Sequence, residues 1–317
     1  MSPSSESQRA VEAGLRLVGI DIGGTRTRAR LWAGGRTAAQ TQAPSASLPA
    51  AGVEGARAAL SAALAGLGVD PADPVDAICV GSAGLSVPGA DSFLRARLTP
   101  FARSGLVVVV SDAMLVLPAA GLDAGVAVIC GTGSVAVGVD GERSVQAGGW
   151  GYLLGDEGSG YWLVREALRL LLSRRERGRP PGELGDQLLT ATGSADLAAL
   201  HRRYYAQPHL PREWARYART VLESTDPAAT EIAARGAGSV AALAAAAVRE
   251  LAAPEPEPRR LPVVLAGGLM SNARYGHAVE RAVSATLPGA QVRVLDDKPV
   301  AGAIRLAAAA EGESRPT

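Results

Sequence analysis

Two cysteines in 317 residues leave no disulfide framework and no zinc-binding spacing. Cys79 and Cys130 each sit inside an apolar run, Ala-Ile-Cys-Val and Val-Ala-Val-Ile-Cys, which predicts two buried core thiols and leaves any redox role open. The three histidines, His201, His209 and His277, lack the i, i+4 spacing of a helical metal site and read as structural or surface residues. An excess of one charge is also missing. Lys+Arg at 32 against Asp+Glu at 31 give a net charge of +1, which excludes a field able to collect nucleic acid or an anionic membrane and favours a small-molecule partner. The mean hydropathy of +0.12 comes largely from alanine, and the longest apolar run, 240–248, ends at Arg249, short of a bilayer span. The first seven residues are small and polar, with no charged segment leading into an apolar one, so no signal peptide is read and a cytoplasmic protein is expected.

The length suits two domains of ordinary size. In the first half, the β-branched run at 17–22 ends in Gly23-Gly24-Thr25, and 27–32 alternates as a returning strand. Gly34-Gly35 turns into a third extended piece. Helical spacing follows at 53–67, then a strand at 77–81, a helical segment at 91–98 and an apolar strand at 106–112 that ends in Asp112. This order describes an α/β domain with a mixed sheet. The pattern then begins again: strand 126–130, Gly131-Thr132-Gly133, strand 135–139, an Asp140-Gly141 turn and strand 143–147. Thr25 and Thr132 are equivalents in two copies of one fold. Beyond these lie a helix from about Tyr161, a helical region to Tyr217, an alanine-rich helix at 232–251, strands at 261–268 and 292–295, and a last helix at 299–310 with Asp296-Asp297 as its N-cap.

The stretch 148–160, Gly-Gly-Trp-Gly-Tyr-Leu-Leu-Gly-Asp-Glu-Gly-Ser-Gly, sets an indole and two carboxylates among glycines. It reads either as a tight turn whose Asp156 and Glu157 complement a helix dipole, or as a polar small-molecule pocket walled by Trp150 with Asp156 accepting from hydroxyls. Each glycine-threonine hairpin is either a tight turn or a phosphate cradle of converging amides with a threonine hydroxyl; the repetition favours the cradle. No Walker loop or dinucleotide fingerprint is present. Asp21 is placed to hold Mg²⁺ through water. Asp112 is either a helix cap or a general base for a hydroxyl that attacks phosphorus.

Taken together, Asp21-Ile-Gly-Gly-Thr25, Ser111-Asp112-Ala113, Gly131-Thr-Gly-Ser134, the 148–160 stretch and Leu265-Ala-Gly-Gly268 resemble the N-acetylglucosamine kinases, in the BadF/BadG/BcrA/BcrD-type branch of the actin-like ATPase superfamily. The resemblance runs from about residue 17 to 310 and is most specific in the Trp-Gly…Gly-Asp-Glu-Gly-Ser element. It implies an α/β protein of two ribonuclease-H-like lobes, each a mixed five-stranded sheet with helices, with the nucleotide in the cleft. The lobes expected are 17–115, completed by helix 299–310, and 116–298, with disordered tails at 1–16 and 311–317. ATP and Mg²⁺ are the implied cofactors, and a homodimer is the implied assembly.

By position, the resemblance makes Asp112 the catalytic base and a sugar contact. Ser134, Val135, Gly149, Trp150, Gly151 and Asp156 become the remaining sugar-binding residues. Gly23, Gly24, Thr25, Gly131, Thr132, Gly238, Gly268 and Asn272 become the ATP contacts. One departure concerns the acceptor. Where the family carries a sugar-binding asparagine, this chain reads Pro44-Ser45-Ala46-Ser47, so that hydrogen bond is either missing or supplied by Ser45 or Ser47, and the identity of the sugar stays open. The implied reaction is phosphoryl transfer to N-acetylglucosamine at its 6-hydroxyl. Glucosamine, N-acetylmuramic acid and glucose stay open as acceptors, and an ATPase activator of 2-hydroxyacyl-CoA dehydratase type is the rival reading.

Overall fold

The computed structural model describes residues 14–206, 211–252 and 261–314. His209 and the proline-rich segment 254–258, read as a helix end, lie outside them, as do residues 1–13 of the expected N-terminal tail. The rest of that tail is built into the fold: Leu15 is buried, and the Arg16 amide donates to Asp76 at 2.8 Å. The chain divides into two compact units, one of residues up to Asp123 together with those from Leu295, the other Ala124–Val294.

The first unit holds β1 (Leu17–Ile22), β2 (Arg26–Ala33), β3 (Arg36–Pro44), α1 (Leu48–Gly66), β4 (Ala77–Ser82), α2 (Ala90–Leu98), β5 (Val107–Ser111), α3 (Val116–Ala119) and, from the far end of the chain, a C-terminal helix, Val300–Ser314. Its sheet runs β3-β2-β1-β4-β5, with β1, β4 and β5 parallel and the β1-β2-β3 meander antiparallel. Strand alternation divides the core between two faces. Val18, Ile20, Ile78 and Val80 pack with α1 and α2, while Leu17, Ala77 and Cys79 pack with Ala303, Ile304 and Ala307 of the C-terminal helix.

Two glycines allow that helix its place. A Cβ on Gly19 would stand 2.9 Å from the Val300 carbonyl oxygen, and one on Gly302 would stand 1.9 Å from that of Leu115. The contact ties α3 to the first unit, so the division falls after Asp123 and not after residue 115. The helix itself runs four residues beyond 310, to Ser314, through what the sequence reading left as tail.

The second unit repeats the arrangement. It contains β6 (Gly125–Cys130), β7 (Ser134–Asp140), β8 (Arg143–Gly148), α4 (Gly160–Glu176), α5 (Gly182–Thr192), α6 (Leu197–Ala206), α7 (Pro211–Ala215), α8 (Ala218–Glu223), α9 (Pro227–Ala252), β9 (Val263–Ala266), α10 (Ala273–Thr286) and β10 (Val292–Val294); the C-terminal helix is α11. The sheet order β8-β7-β6-β9-β10 reproduces that of the first unit strand for strand, again with two parallel and two antiparallel pairings between neighbours in equivalent places. Two mixed five-stranded α/β sheets are what the sequence leads one to expect.

Besides α11, and α1, which begins at Leu48 and not at 53, two more helices differ from expectation. α9 begins at Pro227, five residues before 232, because Asp226 accepts from the Ala228 amide at 3.0 Å while its carboxylate is held by both Arg174 guanidinium nitrogens. At 26 residues and a mean hydropathy of 1.3 it is long and apolar enough to cross a bilayer by length and composition, unlike the shorter run read from sequence. Its buried positions, among them Ile232, Val240, Ala244 and Leu251, pack in the second unit, where the helix lies on β6, β7 and β8. α10 was not anticipated. Tyr275, Val279 and Val283 form its buried face, and Asn272 Oδ1 caps it by accepting from the Tyr275 amide at 3.0 Å.

Candidate active site

In α/β sheets, ligands are bound beyond the carboxyl ends of parallel strands. In the first unit, the ends of β1, β4 and β5 bring Gly23-Gly24-Thr25, Ala83 and Asp112 to one edge. The β1–β2 turn is closed by the Gly23 amide donating to the Arg26 carbonyl at 3.0 Å. Neither Gly23 nor Gly24 has a positive φ, and a Cβ on Gly24 would meet open space. The turn itself therefore needs neither glycine, and both leave backbone open to something outside the fold. Thr25 is exposed, and among the described residues its hydroxyl has no partner.

Two carboxylates lie beside this turn. Asp21, on β1, is 5% exposed and pairs with Arg28 at 3.5 Å. Burial outweighs Arg28 and raises its pKa. Asp112 opens the single turn that follows β5, and its Oδ1 accepts from the Ala113 amide at 3.1 Å. Asp112 thus stands inside the turn, whose N-cap is Ser111, and does not cap it from outside as one sequence reading had it. Burial first, and the Asp21 charge second, push the Asp112 pKa up to about 6.

Ser45 and Ser47, the candidates for the acceptor hydrogen bond, spend their hydroxyl protons inside the first unit. Both are buried, and their hydroxyls donate to the carbonyls of Gly23 and Ala83, each at 2.8 Å. Ala46, where the asparagine would stand, is buried as well.

In the second unit the corresponding edge is formed by Gly131-Thr132-Gly133 after β6 and Gly267-Gly268 after β9. Gly131 and Gly268 repeat the pattern of Gly24: no positive φ, and no close atom that a Cβ would strike. Gly238, exposed on α9, is equally unconstrained. Gly267 differs, with φ at 104° and a would-be Cβ 2.3 Å from the Cys130 carbonyl oxygen, so it is fixed by the packing of β9 on β6. Asn272, expected at the nucleotide, already spends its Oδ1 on the α10 cap.

The 148–160 stretch starts as a turn and ends packed on the hairpin between β6 and β7. Gly148, Gly149 and Gly151 all have positive φ, so local backbone explains those three. Trp150, Leu153 and Leu154 are 68%, 76% and 83% exposed, so Trp150 stands out from the second unit with apolar neighbours. Asp156, at φ 60°, is the one non-glycine residue with positive φ among those described. Its carboxylate lies so close over Gly133 that a Cβ there would be 2.8 Å from Oδ2. Oδ1 accepts from the Ser134 amide at 3.2 Å, and burial raises the Asp156 pKa. Val135 is half-buried beneath Gly149.

Gly158 is pressed against α9 and its carbonyl accepts from Tyr275 Oη at 2.6 Å, with Cys130 Sγ at 3.4 Å. Tyr275 and Arg28 escaped the sequence reading, as did the seat that Gly133 gives Asp156. The period-four pattern Tyr275, Val279, Val283 behind a Ser-Asn step was the available signal for the first. Burial pushes the pKa of Cys79 and of Cys130 up to about 12, as suits inert core thiols.

The model of the BadF/BadG/BcrA/BcrD ATPase family matches residues 18–307 of this chain. The chain belongs to that family. It is 37% identical over 119 residues to the N-acetylmuramic acid/N-acetylglucosamine kinase of Clostridium acetobutylicum, and 31% identical over 119 residues to the N-acetyl-D-glucosamine kinase of Dictyostelium discoideum. Those matches take in 35% and 36% of this chain, and span only 39% and 37% of the two relatives' own lengths. A candidate N-acetylglucosamine kinase from Chromobacterium violaceum, of solved structure, superimposes with a TM-score of 0.68 at 26% identity, over 93% of this chain and 99% of its own.

The carboxylates of this family member generate a stability prediction. Because the folded pKa of Asp112 is raised, its contribution is present below the ordinary carboxylate value of about 3.9 and is lost as pH rises through about 6. Asp112→Asn removes that loss, so the melting temperature of the variant relative to wild type is expected to be higher near pH 8 than near pH 4. A difference independent of pH in calorimetric scans would show that Asp112 ionises without cost.

Proposed function

We propose that this chain transfers the γ-phosphoryl group of ATP to a hydroxyl of an amino sugar, with N-acetylglucosamine and its 6-hydroxyl as the first choice and Asp112 as the general base. The observation that carries the reading is a set of glycines, at 23, 24, 131, 238 and 268, that neither backbone conformation nor packing requires. Four of them lie at the carboxyl ends of parallel strands: Gly23, Gly24 and Gly131 after the equivalent strands β1 and β6, and Gly268 after β9. The turn amides beside them, those of Gly24, Thr25, Thr132 and Gly133, make no backbone hydrogen bond among the described residues and suit phosphate oxygens. The kinase names of two relatives, each matched over part of its length, support the same chemistry.

The residues fit the cofactors. The turn amides and the hydroxyls of Thr25 and Thr132 would hold phosphate oxygens, while Gly238 and Gly268 leave room for the rest of a nucleotide. Mg²⁺ takes one or two carboxylates and keeps phosphate and water ligands, which suits Asp21; among the described residues no group of three or more acidic, His or Cys side chains forms a cage. When bound, Mg·ATP supplies the transferable phosphoryl group and neutralises its charge. Trp150 offers a flat apolar face to a sugar ring, and the Asp156 Oδ2 accepts from a sugar hydroxyl. Asp112 accepts the proton of the attacking hydroxyl as that oxygen bonds to phosphorus. Consumption of ATP is consistent with a cytoplasmic protein.

The rival activator chemistry requires an iron–sulfur cluster held by accessible cysteines. Cys79 and Cys130 are the only two in the sequence, and both are fully buried, so these residues do not fit one.

Two kinetic outcomes follow. With Asp112 serving as a base of pKa about 6, kcat should rise through that pH and level off above it, because only the ionised form accepts a proton. Asp112→Asn should lower kcat by about 10²- to 10⁴-fold while sugar binding persists; near wild-type turnover in a coupled ADP-release assay removes Asp112 from the role. Trp150→Ala should weaken acceptor binding about 10-fold and leave the affinity for ATP unchanged by calorimetry, whereas equal weakening of both means that the loop only braces the fold.

A further inference from the structure

Each hairpin carries a second hydroxyl. Thr27 stands two residues beyond Thr25, and Ser134 two beyond Thr132. Their ladder positions are equivalent, since Thr27 pairs with Ile22 at the end of β1 and Ser134 with Cys130 at the end of β6. Unlike Thr25 and Thr132, both are buried, at 0% and 3% exposure, and both are engaged. Thr27 Oγ1 accepts from the Ala46 amide at 2.9 Å, in the segment after β3. Ser134 Oγ donates to the Glu157 carbonyl at 2.8 Å, in the stretch after β8. These are the two segments to which the kinase reading assigns the acceptor.

We propose that Thr27 and Ser134 are positioning residues that fasten each phosphate hairpin to the acceptor-binding segment of its own unit, so that ATP and acceptor binding are coupled. The inference rests on the kinase reading and deepens it. It also reassigns Ser134, whose hydroxyl is spent inside the protein and not on a sugar.

The fastening is densest in the second unit. The Ser134 amide donates to Asp156 Oδ1, and its carbonyl accepts from the Gly149 amide at 3.0 Å. The Gly131 carbonyl accepts from the Gly160 amide at 2.8 Å, and that of Thr132 from the Tyr161 amide at 3.4 Å. Every residue of the hairpin from 131 to 134 is thus bonded to, or capped by, the stretch that carries Gly149, Trp150 and Asp156, with Asp156 seated over Gly133. A ligand that orders either segment lowers the cost of ordering the other, which is a coupling free energy between two sites. In the first unit the fastening is lighter, with Ser45 Oγ donating to the Gly23 carbonyl beside the Thr27 bond.

Ser134→Ala tests the proposal, with Ser134→Thr as the hydroxyl-retaining control, because threonine already serves at the equivalent position 27. In hydrogen–deuterium exchange of the ligand-free protein, Ser134→Ala should speed exchange of segments 131–134 and 157–161 together, by about 5-fold, and Ser134→Thr should not. In calorimetric titrations of N-acetylglucosamine, a non-hydrolysable ATP analogue should tighten wild-type binding by about 5-fold or more. In Ser134→Ala that ratio should fall towards one, while the affinity for each ligand alone changes less. Unchanged exchange, an unchanged ratio, or a wild-type ratio of one overturns the proposal. Wild-type protein that binds neither ligand sinks the kinase reading instead, and the exchange comparison then decides by itself whether hairpin and loop move together.

Discussion

Where β1 and β6 end, the chain turns back within a few residues, and part of each turn cannot join the ladder. Gly23 and Gly131 satisfy their own amides on Arg26 and Gly133, but the amides of Gly24, Thr25, Thr132 and Gly133 make no such bond among the described residues. Leaving donors unpaired is costly unless water or a ligand takes them, and side chains at these positions would only obstruct that exchange. Much else in the fold follows from keeping these turns open yet fixed. Ser45 and Thr27 hold the first turn from beneath, and Ser134, Asp156 and Gly160 hold the second. The steric demands are met by glycines elsewhere, at 133, 158 and 267, where the backbone has no alternative.

The acidic groups obey the same logic from the opposite sign. Asp21 and Asp112 sit at the ends of parallel strands where burial withholds water, and the Asp21 charge adds to the cost of ionising Asp112. On the proposed kinase reading, a bound Mg²⁺ would offset that cost, because a nearby cation favours the ionised carboxylates. Arg28 offsets part of it meanwhile from 3.5 Å away.

Much of this was legible in the sequence, for physical reasons. β-branched runs ending in Gly-Thr, repeated once, predict two like sheets because strand propensity and turn chemistry are local properties. Asp112 stood out because a carboxylate closing a run of valines is locally anomalous. What escaped depends on contacts between distant residues. That Ser45 and Ser47 face backbone carbonyls, that Thr27 and Ser134 are fasteners, and that Tyr275 reaches Gly158 are consequences of packing. So is the boundary after Asp123, which Gly302 sets by letting α11 close on the Leu115 carbonyl. The five-residue extension of α9 turns on an arginine 53 residues upstream of Pro227, through the Arg174–Asp226 pair.

The central claim is that phosphate passes from ATP to a sugar hydroxyl and not to water. Phosphorus NMR of the protein with Mg·ATP and N-acetylglucosamine tests it most directly. A sugar phosphomonoester resonance that grows one-for-one with ADP, and only when sugar is present, is the predicted result. Inorganic phosphate that accumulates at the same rate with or without the sugar would contradict it.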